Sequence, residues 1–153
     1  MLALAAESLA QLGGGEYLLD LGHMGLVSSL LEGLAGDTAA SLLAELGRKN
    51  TGAIRQLCAQ SGVAHSLADR LCRLAQLYGP PAQVLPELEG LAQGAQGRAA
   101  LEELEGLCAV LEQLGLLEQL RLDFSIVNDM RYYNGIIFRG YLPGLPSGVL
   151  SGG

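Results

Sequence analysis

The stretch Ser125-Ile-Val-Asn-Asp-Met-Arg-Tyr-Tyr-Asn-Gly-Ile-Ile-Phe-Arg-Gly-Tyr141 differs in texture from everything before it. Upstream, Leu and Ala recur at helical spacing; after Leu120 the apolar period becomes two. Phe124 and Ile126 alternate with Asp123, Ser125 and Val127. Tyr133, Gly135, Ile137, Arg139 and Tyr141 then alternate with Tyr132, Asn134, Ile136, Phe138 and Gly140. Because successive strand side chains face opposite sides of a sheet, this pattern predicts two strands, with a hairpin near Asn128-Asp129 as one way to join them. Leu142-Pro-Gly-Leu-Pro-Ser-Gly148 reads as a loop, and Val149-Leu150 as the start of a further strand.

Working outward, residues 1–12 predict a helix stopped by Gly13-Gly14-Gly15. Glu16-Tyr-Leu-Leu-Asp-Leu21 predicts a short strand, and Gly22-His23 a turn into a helix from Met24 to about Leu34. Residues 37–118 are leucine-rich helices with clear punctuation. Asp37/Thr38 and Asn50/Thr51 are candidate caps, and Ser66-Leu-Ala-Asp69 fits a capping box. The helix after that box carries Leu67, Leu71, Leu74 and Tyr78 on one face and stops at Gly79-Pro80-Pro81. Pro86 suits a first-turn position. From about Arg98, Leu101, Leu104, Cys108, Leu111 and Leu114 form one stripe. The expected architecture is α+β: an antiparallel sheet interrupted by a helical insertion, divided as 1–36, 37–118 and 119–153.

Composition narrows the function classes. Half of the 153 residues are hydrophobic and 16% are charged, which excludes a disordered chain. No apolar run reaches the roughly 18 residues a membrane helix needs, so no membrane association is expected. Met1-Leu-Ala-Leu-Ala-Ala, unflanked by basic residues and interrupted by Glu7, reads as a buried helix rather than a leader. A net charge of −7 with few basic pairs argues against nucleic acid as a ligand. Cys58, Cys72 and Cys108 lie within apolar helical patterns and in no metal-binding spacing, which predicts buried free thiols in a reducing cytosol. Nothing in the chain points to a metal or a cofactor.

The tyrosine strand carries the chemistry. Tyr132 and Tyr133 must face opposite sides, so one ring packs inward while the other presents its phenol. Gly135, on the Tyr133 face, leaves room for a ligand to approach the backbone. The plainer alternative is an edge strand with two packed tyrosines. His23 has two readings as well: a ligand contact, or the more common role of satisfying a backbone group at a strand–helix corner.

Tyr132-Tyr133-Asn134-Gly135, followed by an apolar strand and Ser151-Gly152-Gly153, resembles the two histidine-specific motifs of the histidyl-tRNA synthetase catalytic domain. The order of strand, helical insertion and tyrosine motif is similar too. That resemblance implies a class II aminoacyl-tRNA synthetase-like sheet. It also implies a histidine pocket, with Tyr133 as candidate contact and Tyr132, Gly135, Gly152 and Gly153 beside it. Where the synthetases carry the arginine that stabilises charge during adenylate formation, this chain has Asn128, and a neutral amide cannot replace a guanidinium there.

Leu19-Asp-Leu-Gly-His23, Asp123-Phe-Ser-Ile-Val-Asn-Asp-Met130 and Gly148-Val-Leu-Ser-Gly-Gly153 are similar to a non-aminoacylating branch, the regulatory subunits of ATP phosphoribosyltransferase. This resemblance implies a cytoplasmic, non-catalytic protein of histidine biosynthesis. Its partner would be the short-form catalytic subunit in a hetero-oligomer, with histidine as effector. The alternative is a piece of a genuine histidyl-tRNA synthetase catalytic domain. A third reading makes residues 37–118 a docking module for another protein. Unpaired strand edges also make self-association an expectation.

Overall fold

The computed structural model describes residues 1–127 and 134–153. The candidates Asn128, Tyr132 and Tyr133, and the expected pivot at Asn128-Asp129, lie outside the described residues. The order of elements is α1 (Leu2–Leu12), β1 (Leu18–His23), α2 (Met24–Leu31), α3 (Gly36–Gly47), α4 (Thr51–Gln60), α5 (His65–Gln76), β2 (Tyr78–Gly79), α6 (Pro81–Leu88), α7 (Gly94–Gln113), β3 (Leu120–Asp123), β4 (Ile136–Tyr141) and β5 (Leu150–Gly152), with one 3-10 turn at Leu117–Gln119.

The strands form one sheet in the order β2-β3-β1-β4-β5. Three neighbouring pairs are antiparallel and one, β1 with β3, is parallel. A direct hairpin between β3 and β4 is thereby excluded, because β1 lies between them. Leu19, Asp20 and Leu21 pair with Leu120, Arg121 and Leu122 on one side, and with Gly140, Arg139 and Phe138 on the other. Parallel partners need a long crossover. The helices of residues 24–113 supply it.

Alternation gives the sheet two unlike faces. Leu19, Leu21, Leu120, Leu122 and Phe138 point to the helical layer and share one buried cluster with residues such as Leu30, Leu46, Leu74 and Leu104. Each such leucine, fully buried, contributes about 1.5–3 kcal/mol. Asp20, Arg121, Asp123, Arg139 and Tyr141 stand on the opposite face.

Local signals held in part. Asn50 caps α4, its side chain accepting from the Ala53 N–H at 3.1 Å. In α7, Leu101, Leu104, Cys108 and Leu111 are buried as the stripe predicts, although the helix begins at Gly94 and Leu114 is exposed beyond its end. Asp37/Thr38 and Ser66 do not cap: α3 and α5 start one residue earlier, after Ala35 and Ala64, without side-chain caps. Asp69 is drawn instead to Arg55 at 2.5 Å and His65 at 3.5 Å. Pro81 takes the first-turn position, so Pro86 falls inside α6 and forfeits a backbone bond near its end. Tyr78 leaves the helical face because Pro80 holds the backbone before it extended, and it pairs with Asp123 as an edge strand. Cys58, Cys72 and Cys108 are buried and free. No helix among the described residues is long and apolar enough to cross a membrane.

Gly22 is a point of the sheet where backbone meets backbone closely. A Cβ there would sit 2.7 Å from the Asp123 carbonyl oxygen, with Ile126 and Ile137 close behind. Gly22→Ala is expected to cost about 1–3 kcal/mol because backbone must shift. Gly106→Ala, on the exposed face of α7 where a Cβ meets nothing within 4 Å, is expected to stabilise by about 0.5–1 kcal/mol. Urea denaturation of the two variants checks both signs.

Candidate functional site

The strand predicted to end at Leu21 continues to His23, which closes β1 and caps α2. The Gly25 N–H donates to His23 Nδ1 at 3.0 Å, so Nδ1 is the unprotonated nitrogen. Nε2–H then donates to Glu103 Oε2 on α7 at 2.9 Å. Of its two readings, His23 takes the backbone-satisfying one. A Cβ on Gly25 would lie 2.9 Å from the imidazole and 3.1 Å from the Ala100 Cβ, so glycine at this position lets ring and helix close together. Gln96 Nε2 reinforces the same helix contact by donating to Ser28 Oγ at 3.1 Å.

The candidate glycines differ in their contacts. Gly135 stands immediately before β4, and its carbonyl accepts from the Met24 N–H at 2.9 Å. A Cβ on it would meet no described atom within 4 Å. Gly152 pairs with Phe138, and a Cβ on it would lie 2.7 Å from that ring. Its missing side chain makes room for phenylalanine on the helix-facing side. Gly153 lines an apolar groove of about 350 Å³ with Leu2, Leu107, Leu111, Ile136 and Phe138. Gly135 precedes Ile136, which lines the same groove as Gly153, so the three glycines lie towards one end of the β4–β5 pair.

Sequence patterning did not single out the charged group on the sheet face opposite the helices. Asp123 Oδ1 accepts from the backbone N–H and the hydroxyl of Ser125, at 2.9 and 2.7 Å, and Oδ2 accepts from Lys49 Nζ at 3.2 Å. Lys49 holds a left-handed backbone conformation (φ 56°) at the end of α3 and places its ammonium 5.1 Å from the centre of the Tyr78 ring.

Asp20 is 4% exposed and in register with Arg121 and Arg139, yet its Oδ1 has no hydrogen-bond partner among the described residues. The Arg121 guanidinium turns to the Glu118 and Leu120 carbonyls at 2.9 and 2.7 Å. Burial first, and the Asp123 carboxylate second, push the Asp20 carboxyl up to about 6, while Lys49, Arg121 and Arg139 pull the other way. The signal available in the sequence was period two itself, which sets Asp20 apart from Leu19 and Leu21.

A carboxyl that holds its proton more tightly when folded gives stability at low pH that is lost as pH rises from about 4 to about 6. Asp20→Asn is therefore expected to stabilise the fold by about 2 kcal/mol at neutral pH. That gain shrinks towards zero near pH 4, and denaturation series at several pH values test the slope. His23→Ala is expected to cost about 1–3 kcal/mol, because it removes a cap and uncovers buried surface. Glu103→Gln, on the exposed side of the same contact, should cost under about 1 kcal/mol in the same assay.

Known proteins similar to this chain include both regulatory subunits of ATP phosphoribosyltransferase and histidyl-tRNA synthetases. The family model described as histidyl-tRNA synthetase matches residues 1–153. An ATP phosphoribosyltransferase regulatory subunit of Geobacter metallireducens is 32% identical over all of this chain and 36% of its own length. One from Symbiobacterium thermophilum is 36% identical over 99% of this chain and 38% of its own. A crystal structure described as an ATP phosphoribosyltransferase regulatory subunit/histidyl-tRNA synthetase from Bacillus halodurans C superposes with a TM-score of 0.87 at 32% identity. It covers 99% of this chain and 40% of the solved one. The chain thus spans well under half the length of these three relatives.

Proposed function

Because the chain belongs to the histidyl-tRNA synthetase family, we propose that it carries the corresponding part of a non-catalytic regulatory subunit of ATP phosphoribosyltransferase, acting in the first step of histidine biosynthesis. The supporting observation is its end-to-end similarity to proteins of that name at 32 and 36% identity. Asn128 agrees with it. A synthetase needs a cation where phosphate charge develops, and this chain supplies an amide. In this reading residues 37–118 are a helical insertion between the two halves, 1–36 and 119–153, of a synthetase-like domain. The protein works in the cytoplasm beside a short-form catalytic subunit.

Histidine acts as the effector. To change catalysis on a partner, it must bind one assembly state more tightly than another, by the coupling energy that shifts activity. No described atom fills the space beside Gly135, which favours a pocket at that end of the sheet. Tyr133 and Tyr132 contribute from the segment preceding it.

The natural full-length polypeptide is expected to co-purify with a short-form catalytic subunit. It should also raise that subunit's ATP phosphoribosyltransferase rate and make the rate sensitive to histidine. A catalytic subunit that neither binds it nor responds to it would sink the reading.

A further inference from the structure

The Glu103 carboxylate is 61% exposed, yet it is turned onto a histidine that is 3% exposed. His23 needs no such partner to cap α2, because Nδ1 alone accepts the Gly25 N–H. An exposed carboxylate also gains little stability from a contact of this kind. What the contact does is fix the ring. With Nδ1 taken by the backbone, a partner on Nε2 sets both the tautomer and the plane of the imidazole.

The ring in turn orients the place where β4 begins. His23 pairs with Ile136, and the next residue, Met24, donates its N–H to the Gly135 carbonyl at 2.9 Å. That N–H is one of the donors a helix start leaves without an intrahelical partner. The Met24 side chain, 1% exposed, clusters with Ile126 and Ile137. The β1–α2 corner thus holds Gly135 and the two residues after it through a backbone bond, strand pairing and packing. It has little play of its own. A Cβ on Gly25 would meet the imidazole at 2.9 Å and the Ala100 Cβ of α7 at 3.1 Å, so ring, α2 and α7 move together.

We infer that Glu103 is a positioning residue for the histidine site: through His23 and Met24 it sets where the chain enters β4 at Gly135. This rests on the histidine-sensing reading and goes beyond it. It ties the affinity for histidine to a residue of α7, within the helical stretch 37–118, that lies outside the tyrosine strand altogether. By linkage, bound histidine favours the same placement of α2 and tightens its contact with α7. The helical stretch is then a part of the molecule that senses whether the site is filled.

Calorimetric titration of the natural full-length polypeptide with L-histidine tests this on three variants, each kept well below its unfolding transition. Glu103→Ala removes the acceptor and should weaken histidine about three- to tenfold. Glu103→Gln keeps an oxygen that accepts from Nε2–H and should retain most of the affinity. Glu102→Ala deletes a neighbouring exposed carboxylate that makes no bond to His23 and should leave the affinity unchanged. Unchanged affinity in Glu103→Ala overturns the inference. So does a loss in Glu103→Gln or Glu102→Ala equal to that in Glu103→Ala, which marks charge and not the bond as the cause. A wild-type polypeptide that binds no histidine fails earlier, at the sensing reading itself, and the inference falls with it.

Discussion

Everything in this fold depends on β1 being paired on both sides by strands that arrive about a hundred residues later. Leu18–His23 hydrogen-bonds to β3 in parallel and to β4 in antiparallel register. Five of its six residues are buried. A central strand made so early leaves its backbone groups without partners until the helices of residues 24–113 have turned the chain back. Those helices are thus more than an appendage. Their apolar stripes share the cluster that receives Leu19 and Leu21.

The end and the middle of β1 are held differently through the same pairing. At its end, His23 is held between the α2 N-terminus and Glu103, which fixes the angle at which chain leaves sheet. In its middle, the register places a carboxyl between two arginines that do not pair with it among the described residues. Gly22 lies between these positions and admits the Asp123 backbone to close approach. Asp20, Gly22 and His23 thus lie within four residues of one strand, so a change at any of them bears on the others through the same backbone.

What the sequence disclosed divides along physical lines. Signals satisfied within one turn were legible: the Asn50 cap and the α7 stripe from Leu101 to Leu111. Buried free cysteines followed from apolar periodicity. Signals decided by distant partners misled. Ser66-Leu-Ala-Asp69 has the form of a capping box, but Asp69 is claimed by Arg55 across the neighbouring helix. Tyr78 has helical spacing, yet the free edge of β3 and the following proline take it into the sheet. Period two announced β4 at Ile136–Tyr141. The alternation of Phe124 and Ile126 with Ser125 and Val127, however, falls beyond β3, which ends at Asp123 before a turn. Alternation also says nothing about which strand lies beside which. The insertion of β1 between β3 and β4 was therefore not readable. The same blindness hid Asp20, since an acid on a strand looks solvated until its neighbours' identities are known. Gly152 has a packing reason, the Phe138 ring, that no motif reveals.

The central claim is that a synthetase-like domain here regulates an enzyme and does not activate histidine. Histidine-dependent ATP–pyrophosphate exchange on the natural full-length polypeptide is its most direct test. With Asn128 where the adenylate-stabilising arginine would stand, exchange should not rise above the level seen without histidine. Robust exchange that requires histidine and ATP together would contradict the account.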